Sequence, residues 1–401
     1  MNYIYSTIPS GTVTAPTGFY AGAVEAGIKY QNRLDLGILY SEVPCTAAGI
    51  FTTASITSAT VIVSQRHLSD HRAQAVIVNS GCANAYTGEQ GIADAEEIAA
   101  IVGIKLKISP SDVVVASTGV TGMWMPMDRL KKGIDALTYS RDGGNLLARA
   151  MMTTDTVSKE IAVAVEIEGR KFTIGGVAKG SGMIHPNMGT MLCFIATDAA
   201  VDARFLQSVL KNIADETFNM VTVDGDTSPS DSVVILANGM SCVSIDPEKN
   251  GEAFYNGLYK VCLYLARSIA RDGEGATKLI EVIVDGAANV PDARLAARTI
   301  AGSALVKTAI HGNDPNWGRI IAALARSGAK ATMDTIDLYM NSICMMRNGK
   351  PEPFDTVKMS EALHKDSVVI ELKLGLGDAS ATAWGCDLSK EYVTINSDYT
   401  T

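Results

Sequence analysis

Aromatic side chains are scarce in this 401-residue chain: Phe, Trp and Tyr together make up 6% of it. Its interior must therefore be filled mainly by aliphatic side chains and methionine, and hydrophobic residues of all kinds reach 47%. That share belongs to a globular chain and excludes intrinsic disorder. The length suffices for one or two substantial cores. Charge is thin as well, at 19% of residues, and no block of Lys or Arg occurs. With a net charge of −9, nucleic acid and acidic membrane surfaces are poor partners. No apolar run approaches the length of a membrane span. The opening residues Met1-Asn2-Tyr3-Ile4-Tyr5-Ser6 lack a basic region leading into an apolar core, so no secretory signal is read there. The seven cysteines stand singly, with no Cys-x-x-Cys pair. A reduced, cytoplasmic protein is expected.

Metal and dinucleotide signatures are also missing. Asp224 and Asp226 alternate, and His311 stands near Asp314, but neither set has enough spaced partners for a typical metal site. The run Leu374-Gly375-Leu376-Gly377-Asp378 lacks the third glycine and the following helix of a dinucleotide loop. No metal and no cofactor is expected.

What is present is a mixture of two periodicities. Helices are predicted over 93–102, 202–218, 252–271, 291–303 and 317–327. In the second of these, Asp202 suits the N-cap, and Phe205, Val209 and Ile213 recur every four residues on one face. Strands are predicted over 75–78, 113–116, 161–165, 191–196, 233–237, 279–284, 336–343, 368–374 and 392–395. The elements come in unequal clusters rather than strict strand–helix repeats. This favours α+β layers over a doubly wound parallel sheet.

The most informative run is Lys179-Gly180-Ser181-Gly182-Met183-Ile184-His185-Pro186-Asn187-Met188-Gly189-Thr190-Met191-Leu192. It puts a hydroxyl directly after a glycine, in mid-chain, where a turn enters the apolar run 191–196. A threonine hydroxyl is a weak nucleophile until a base takes its proton. The α-amino group of an N-terminal threonine can be that base. Such a use of Thr190 requires the chain to be cut between Gly189 and Thr190.

This run resembles the cleavage and nucleophile segment of the ornithine acetyltransferases, or glutamate N-acetyltransferases, of arginine biosynthesis. Gly189 stands where that family usually has alanine, and both are small. The resemblance extends from Gly11-Thr12-Val13-Thr14-Ala15-Pro16 to Thr401 and includes the loop 311–319. It implies a layered helix–sheet–sheet–helix sandwich shared with the self-processing aminopeptidases. It further implies an α chain of residues 1–189 and a β chain of residues 190–401 that begins with the nucleophile. The expected reaction moves an acetyl group from N-acetylornithine to glutamate through an acetyl-Thr190 ester. Acetyl-CoA stays open as a second donor, and two copies of each chain are expected.

Site residues follow by position. Ala116-Ser117-Thr118-Gly119-Val120-Thr121-Gly122 would be read by itself as a glycine turn. In the family it forms the oxyanion hole, so Thr118 supplies a hydroxyl and Gly119 an N–H. Lys179, in the loop leading to Thr190, would alone be read as a solvated surface lysine. Near a nucleophile it can hold a substrate carboxylate. Thr156, in a hydroxyl cluster that could equally cap a helix, resembles the family's substrate-contacting threonine. Glu274, between two glycines at a helix end, suits an ammonium group. Asn396 and Thr401 match the family's tail, which closes over substrate, while Thr400 replaces its usual arginine. Two rivals stand beside this reading: an amidase or aminopeptidase of the same fold, with water as acceptor, and a non-catalytic scaffold. A paralogue acting on a related amino acid also stays open.

Overall fold

The structure is a computed structural model that describes residues 3–185 and 191–398. Gly189, Thr190 and Thr401 lie outside the described residues. In chain order the strands are β1 Tyr3–Thr7, β2 Phe19–Val24, β3 Leu36–Phe51, β4 Arg72–Asn79, β5 Val113–Ser117, β6 Lys159–Ile167, β7 Arg170–Lys179 and β8 Leu192–Thr197. They continue with β9 Val221–Thr222, β10 Ser232–Ala237, β11 Leu279–Ala287, β12 Asp337–Met340, β13 Ile343–Arg347, β14 Lys350–Pro351, β15 Ser367–Lys373 and β16 Ala379–Cys386.

Among the described residues these strands form two sheets. The first has nine strands in the order β1-β6-β7-β8-β10-β3-β4-β5, with β2 also paired to β3. Its long strand β3 pairs β2 and β4 through its first half and β10 through its second, with a register irregularity between Tyr40 and Cys45. Strand residues alternate between faces, and here both faces are buried, which explains apolar runs such as Leu192-Cys193-Phe194-Ile195-Ala196. Leu192 and Phe194 share one cluster with Val234 and Leu236 of β10, Val76 and Val78 of β4, and Leu147 and Met151 of the helix Gly144–Met151. Cys193 and Ile195 face the opposite way, onto the helices Ala203–Glu216 and Gly251–Arg271. The helices Ala59–His67 and Gly88–Leu106 cover the far side of β4 and β5. The layering is therefore helix, sheet, sheet, helix, in an α+β fold. The long helix packs closely: a Cβ on Gly176 of β7 would lie 2.7 Å from Val261.

The second sheet runs β14-β13-β12-β15-β11-β16-β9 and carries the helix Val290–Ala301. Its apolar residues join the cluster of the long helix. No helix among the described residues is long and apolar enough to cross a membrane.

Asp202 caps its helix as expected, accepting the N–H groups of Arg204 at 3.0 Å and Phe205 at 3.1 Å. Two expectations fail. The single strand over 336–343 is a hairpin, β12 and β13, turned by Asn341 and Ser342, both at positive φ. Asparagine and serine tolerate that region through local hydrogen bonds. The strand over 392–395 is helical, part of Lys390–Asp398. Ser389 accepts the Tyr392 N–H at 3.4 Å as an N-terminal cap does, and among the described residues 392–395 pair with no strand of either sheet.

Candidate active site

Strand register assembles the site. Lys179 ends β7 and pairs with Leu192, the first residue of β8. On the other side Leu192 pairs in parallel with Ser232, the first residue of β10. Met191 thus leads into β8 between these two strand ends. A pocket opens there, and Thr118, Gly119, Thr153, Lys179, Glu274 and Asn396 all line it.

Thr118 follows β5 and is buried, its N–H bound to the Asn79 carbonyl at 3.0 Å. Its hydroxyl oxygen accepts from Lys179 Nζ at 3.4 Å, and among the described residues the hydroxyl proton has no acceptor. The Gly119 N–H makes no hydrogen bond among the described residues. Gly119 stands at φ 126°, and a Cβ there would sit 2.5 Å from the Gly81 carbonyl carbon. Only glycine fits. Two uncommitted donors on adjacent residues are what a developing oxyanion needs.

Lys179 departs from the expected solvated loop position, being the last residue of a strand and 2% exposed. Its ammonium donates to Thr153 Oγ1 at 2.9 Å and lies 4.0 Å from Asp155 Oδ2. Behind it runs a buried row of charges. Lys159 Nζ bridges Asp155 at 2.7 Å and Asp272 at 2.6 Å, and Asp155 also accepts the Gly180 N–H at 2.7 Å. Burial by itself would raise the Asp155 carboxyl, but the Lys179 and Lys159 ammonium groups outweigh it and hold the group well below the usual carboxylate range. Burial pushes the Lys179 amine down, and Asp155 opposes the shift. One wall of the pocket is therefore cationic but already partly balanced.

Glu274 faces the pocket from the loop after the long helix and is also buried. Its N–H donates to the Ser181 carbonyl at 2.9 Å, and its Oε2 accepts from Asn396 Nδ2 at 2.8 Å. The terminal helix docks through that bond. Gly182 lies against the Glu274 carboxyl so closely that any side chain would collide with it.

Thr156 is placed differently. Its N–H and hydroxyl both go to Asp272, and it borders a larger cleft beside the long helix instead. Thr153 and Thr154 of the same hydroxyl cluster line the pocket with Lys179. Sequence reading did not single out Asp155, Lys159, Asp272 or Asp231. Only the spacing of Asp155 and Lys159, four apart, was a signal. The unassigned loops act as braces. Asp224 accepts the N–H groups of Met183 at 2.6 Å and Ile184 at 3.0 Å, and His311 pairs with Asp387 at 2.7 Å. Asp387 in turn accepts the Thr277 N–H at 2.7 Å, steadying the loop that presents Glu274.

Comparison with known proteins gives the family. A model of the ArgJ family matches residues 20–401. The chain is 53% identical over 401 residues to the arginine biosynthesis bifunctional protein ArgJ of Dehalococcoides mccartyi, covering 98% of each chain. It is 49% identical over 398 residues to the same protein of Symbiobacterium thermophilum, covering 98% of this chain and 99% of that one. The crystal structure of ArgJ from Bacillus halodurans aligns with a TM-score of 0.50 at 46% identity, covering 51% of this chain and 98% of that chain. The chain belongs to the ArgJ family, the acetyltransferases of arginine biosynthesis.

Proposed function

We propose that the protein transfers an acetyl group from N2-acetylornithine to glutamate, releasing ornithine and N-acetylglutamate. Self-cleavage at Gly189–Thr190 yields an α chain, 1–189, and a β chain, 190–401. The Thr190 hydroxyl attacks the acetyl carbonyl while its α-amino group takes the proton. The Thr118 hydroxyl and the Gly119 N–H hold the oxyanion. Ornithine leaves, the amine of glutamate attacks the acetyl-Thr190 ester, and the free hydroxyl returns. Lys179 meets the α-carboxylate that both amino acids carry. Glu274, oriented by Asn396, meets the side-chain ammonium of ornithine. Thr156 acts through Asp272, and Thr401 completes the substrate set. Two α and two β chains assemble in the cytoplasm.

The observation that carries this reading is the convergence of two free donors, a buried lysine and a buried glutamate on one pocket beside the entry to β8. The division into two chains has independent support. The solved Bacillus halodurans chain spans 51% of this one, whereas the Dehalococcoides relative spans 98%. Acetyl-CoA stays open as a second donor. The test incubates purified protein with N-acetylornithine and glutamate and follows both products. Stoichiometric ornithine and N-acetylglutamate are expected. Acetate in place of N-acetylglutamate would make water the acceptor and the protein an amidase.

A further inference from the structure

Glycine has no conformational reason to stand at position 182. Gly182 is not among the glycines at positive φ, so its backbone suits any residue. The reason is a neighbour. A Cβ on Gly182 would lie 2.5 Å from both oxygens of the Glu274 carboxyl and no farther from its carbon. Nearly equidistant from the three atoms, it would press on the flat face of the carboxylate. Ordinary contacts begin at about 3.5 Å, so the carboxylate would have to move by about 1 Å.

Hydrogen bonds beside this contact hold the two backbones together. Ser181, directly before Gly182, is fully buried. Its hydroxyl donates to the Asp272 carbonyl at 2.7 Å, and its own carbonyl accepts the Glu274 N–H at 2.9 Å. Asn396 Nδ2 holds Glu274 Oε2 at 2.8 Å. The carboxylate is thus seated against a bare Cα and fixed there by an amide. Lys179 lines the same pocket, anchored by its place at the end of β7 and by its bond to Thr153 at 2.9 Å. A cation and an anion, each held in place, gauge the separation of the carboxylate and the ammonium on one bound molecule.

We propose that Gly182 sets the chain-length specificity of the acetyl donor. By leaving room for the Glu274 carboxylate, it fixes where the donor's side-chain ammonium is met relative to Lys179. This rests on the substrate reading above, in which Lys179 meets the α-carboxylate and Glu274 the ammonium. Gly182 acts through Glu274 and is a positioning residue. A diamino acid one methylene shorter or longer than ornithine misses one of the two anchors.

The test compares three acetyl donors that differ by single methylenes, the N2-acetyl derivatives of 2,4-diaminobutyrate, ornithine and lysine, with glutamate as acceptor. Ratios of kcat/KM among them cancel any change common to all three, such as altered cleavage of the chain or a weaker nucleophile. Wild type should prefer N2-acetylornithine. Gly182→Ala should cut that preference over at least one neighbour by about 10-fold or more, the worth of one methylene in a fitted site. Glu274→Ala is the control background. There Gly182→Ala should leave the ratios unchanged, because the group it displaces is gone. If Gly182→Ala lowers the thermal midpoint of the wild type, adding it to Glu274→Ala should lower the midpoint no further. Equal ratios in wild type and Gly182→Ala, or an equal change of the ratios with and without the Glu274 carboxylate, would overturn the proposal while leaving acetyl transfer intact. So would a wild type indifferent to donor length. A wild type that uses none of the three donors would remove the substrate reading and this inference with it.

Discussion

At the scale of single residues, the site is a set of buried polar groups whose partners are nearly all used. The exceptions are informative. Thr118 keeps its hydroxyl proton uncommitted, so Thr118→Ala should lower acetyl transfer by about 100-fold or more with little change in ground-state binding. Thr118→Ser should retain much of the rate, and steady-state kinetics on both variants check it. Lys179 and Glu274 should separate in half-reactions. Lys179→Met should impair both enzyme acetylation by N-acetylornithine and deacetylation by glutamate, while Glu274→Gln weakens the first selectively. Each loses a charge-assisted hydrogen bond, typically about 1.5–3 kcal/mol, which single-turnover rates resolve. Behind them, Lys159 separates two buried carboxylates. Lys159→Met removes the ammonium that both share and should lower unfolding free energy by about 3–5 kcal/mol. The Asp155 carboxyl is depressed in the folded chain, so its contribution is present above its unfolded pKa and is lost as pH falls through the folded value. The Lys159→Met penalty should therefore be full at neutral pH and shrink below about pH 4, near the unfolded carboxylate pKa. Urea unfolding of both proteins across pH measures this.

At the scale of elements, the terminal helix Lys390–Asp398 matters most. Its residues Tyr392, Val393, Thr394 and Ile395 read as a strand by propensity, and tertiary context overrides that preference. The Ser389 hydroxyl donates to the Gly275 carbonyl at 2.6 Å, and Asn396 reaches Glu274 at 2.8 Å, so the helix is pinned at both ends to the loop after the long helix. Little of the helix is buried, and no residue of it belongs to the core. Removing residues 390–401 should leave the thermal midpoint within a few degrees of wild type. The same deletion should raise KM for N-acetylornithine, because the Glu274 carboxyl loses the bond that orients it. A truncated protein with unchanged KM would detach this helix from substrate binding.

At the scale of the whole molecule, a cut at Gly189–Thr190 falls between neighbouring strands of one sheet. β7 comes from the first piece and β8 from the second, and they pair over Ile174 to Lys179. β10 of the second piece pairs β3 of the first over six residues, Ser232 to Ala237. The cleaved pieces should consequently co-elute at native size and unfold in one transition, separating only in denaturant. Size exclusion followed by intact-mass analysis tests it, and Thr190→Ala should elute alike as one uncut chain. Pieces that separate in native buffer would contradict the shared sheet.

The α+β class, the long helices and the strands around the junction were legible in the sequence because they are local. A helix over 252–271 or a strand over 233–237 is written in the periodicity of its own residues. The short motifs around Thr118, Lys179, Glu274 and Thr190 were legible through their resemblance to a family, not through composition. Only the tertiary structure decided which of the clustered threonines borders the pocket. Thr153 faces Lys179 and Thr156 faces Asp272 because β6 begins three residues later and turns the segment between them. It also decided that Lys179 is buried, that a β-rich tail is helical, and that Asp231 accepts the Met191 N–H. Each of these depends on a partner more than twenty residues away in the chain, and no local pattern records a partner at that distance.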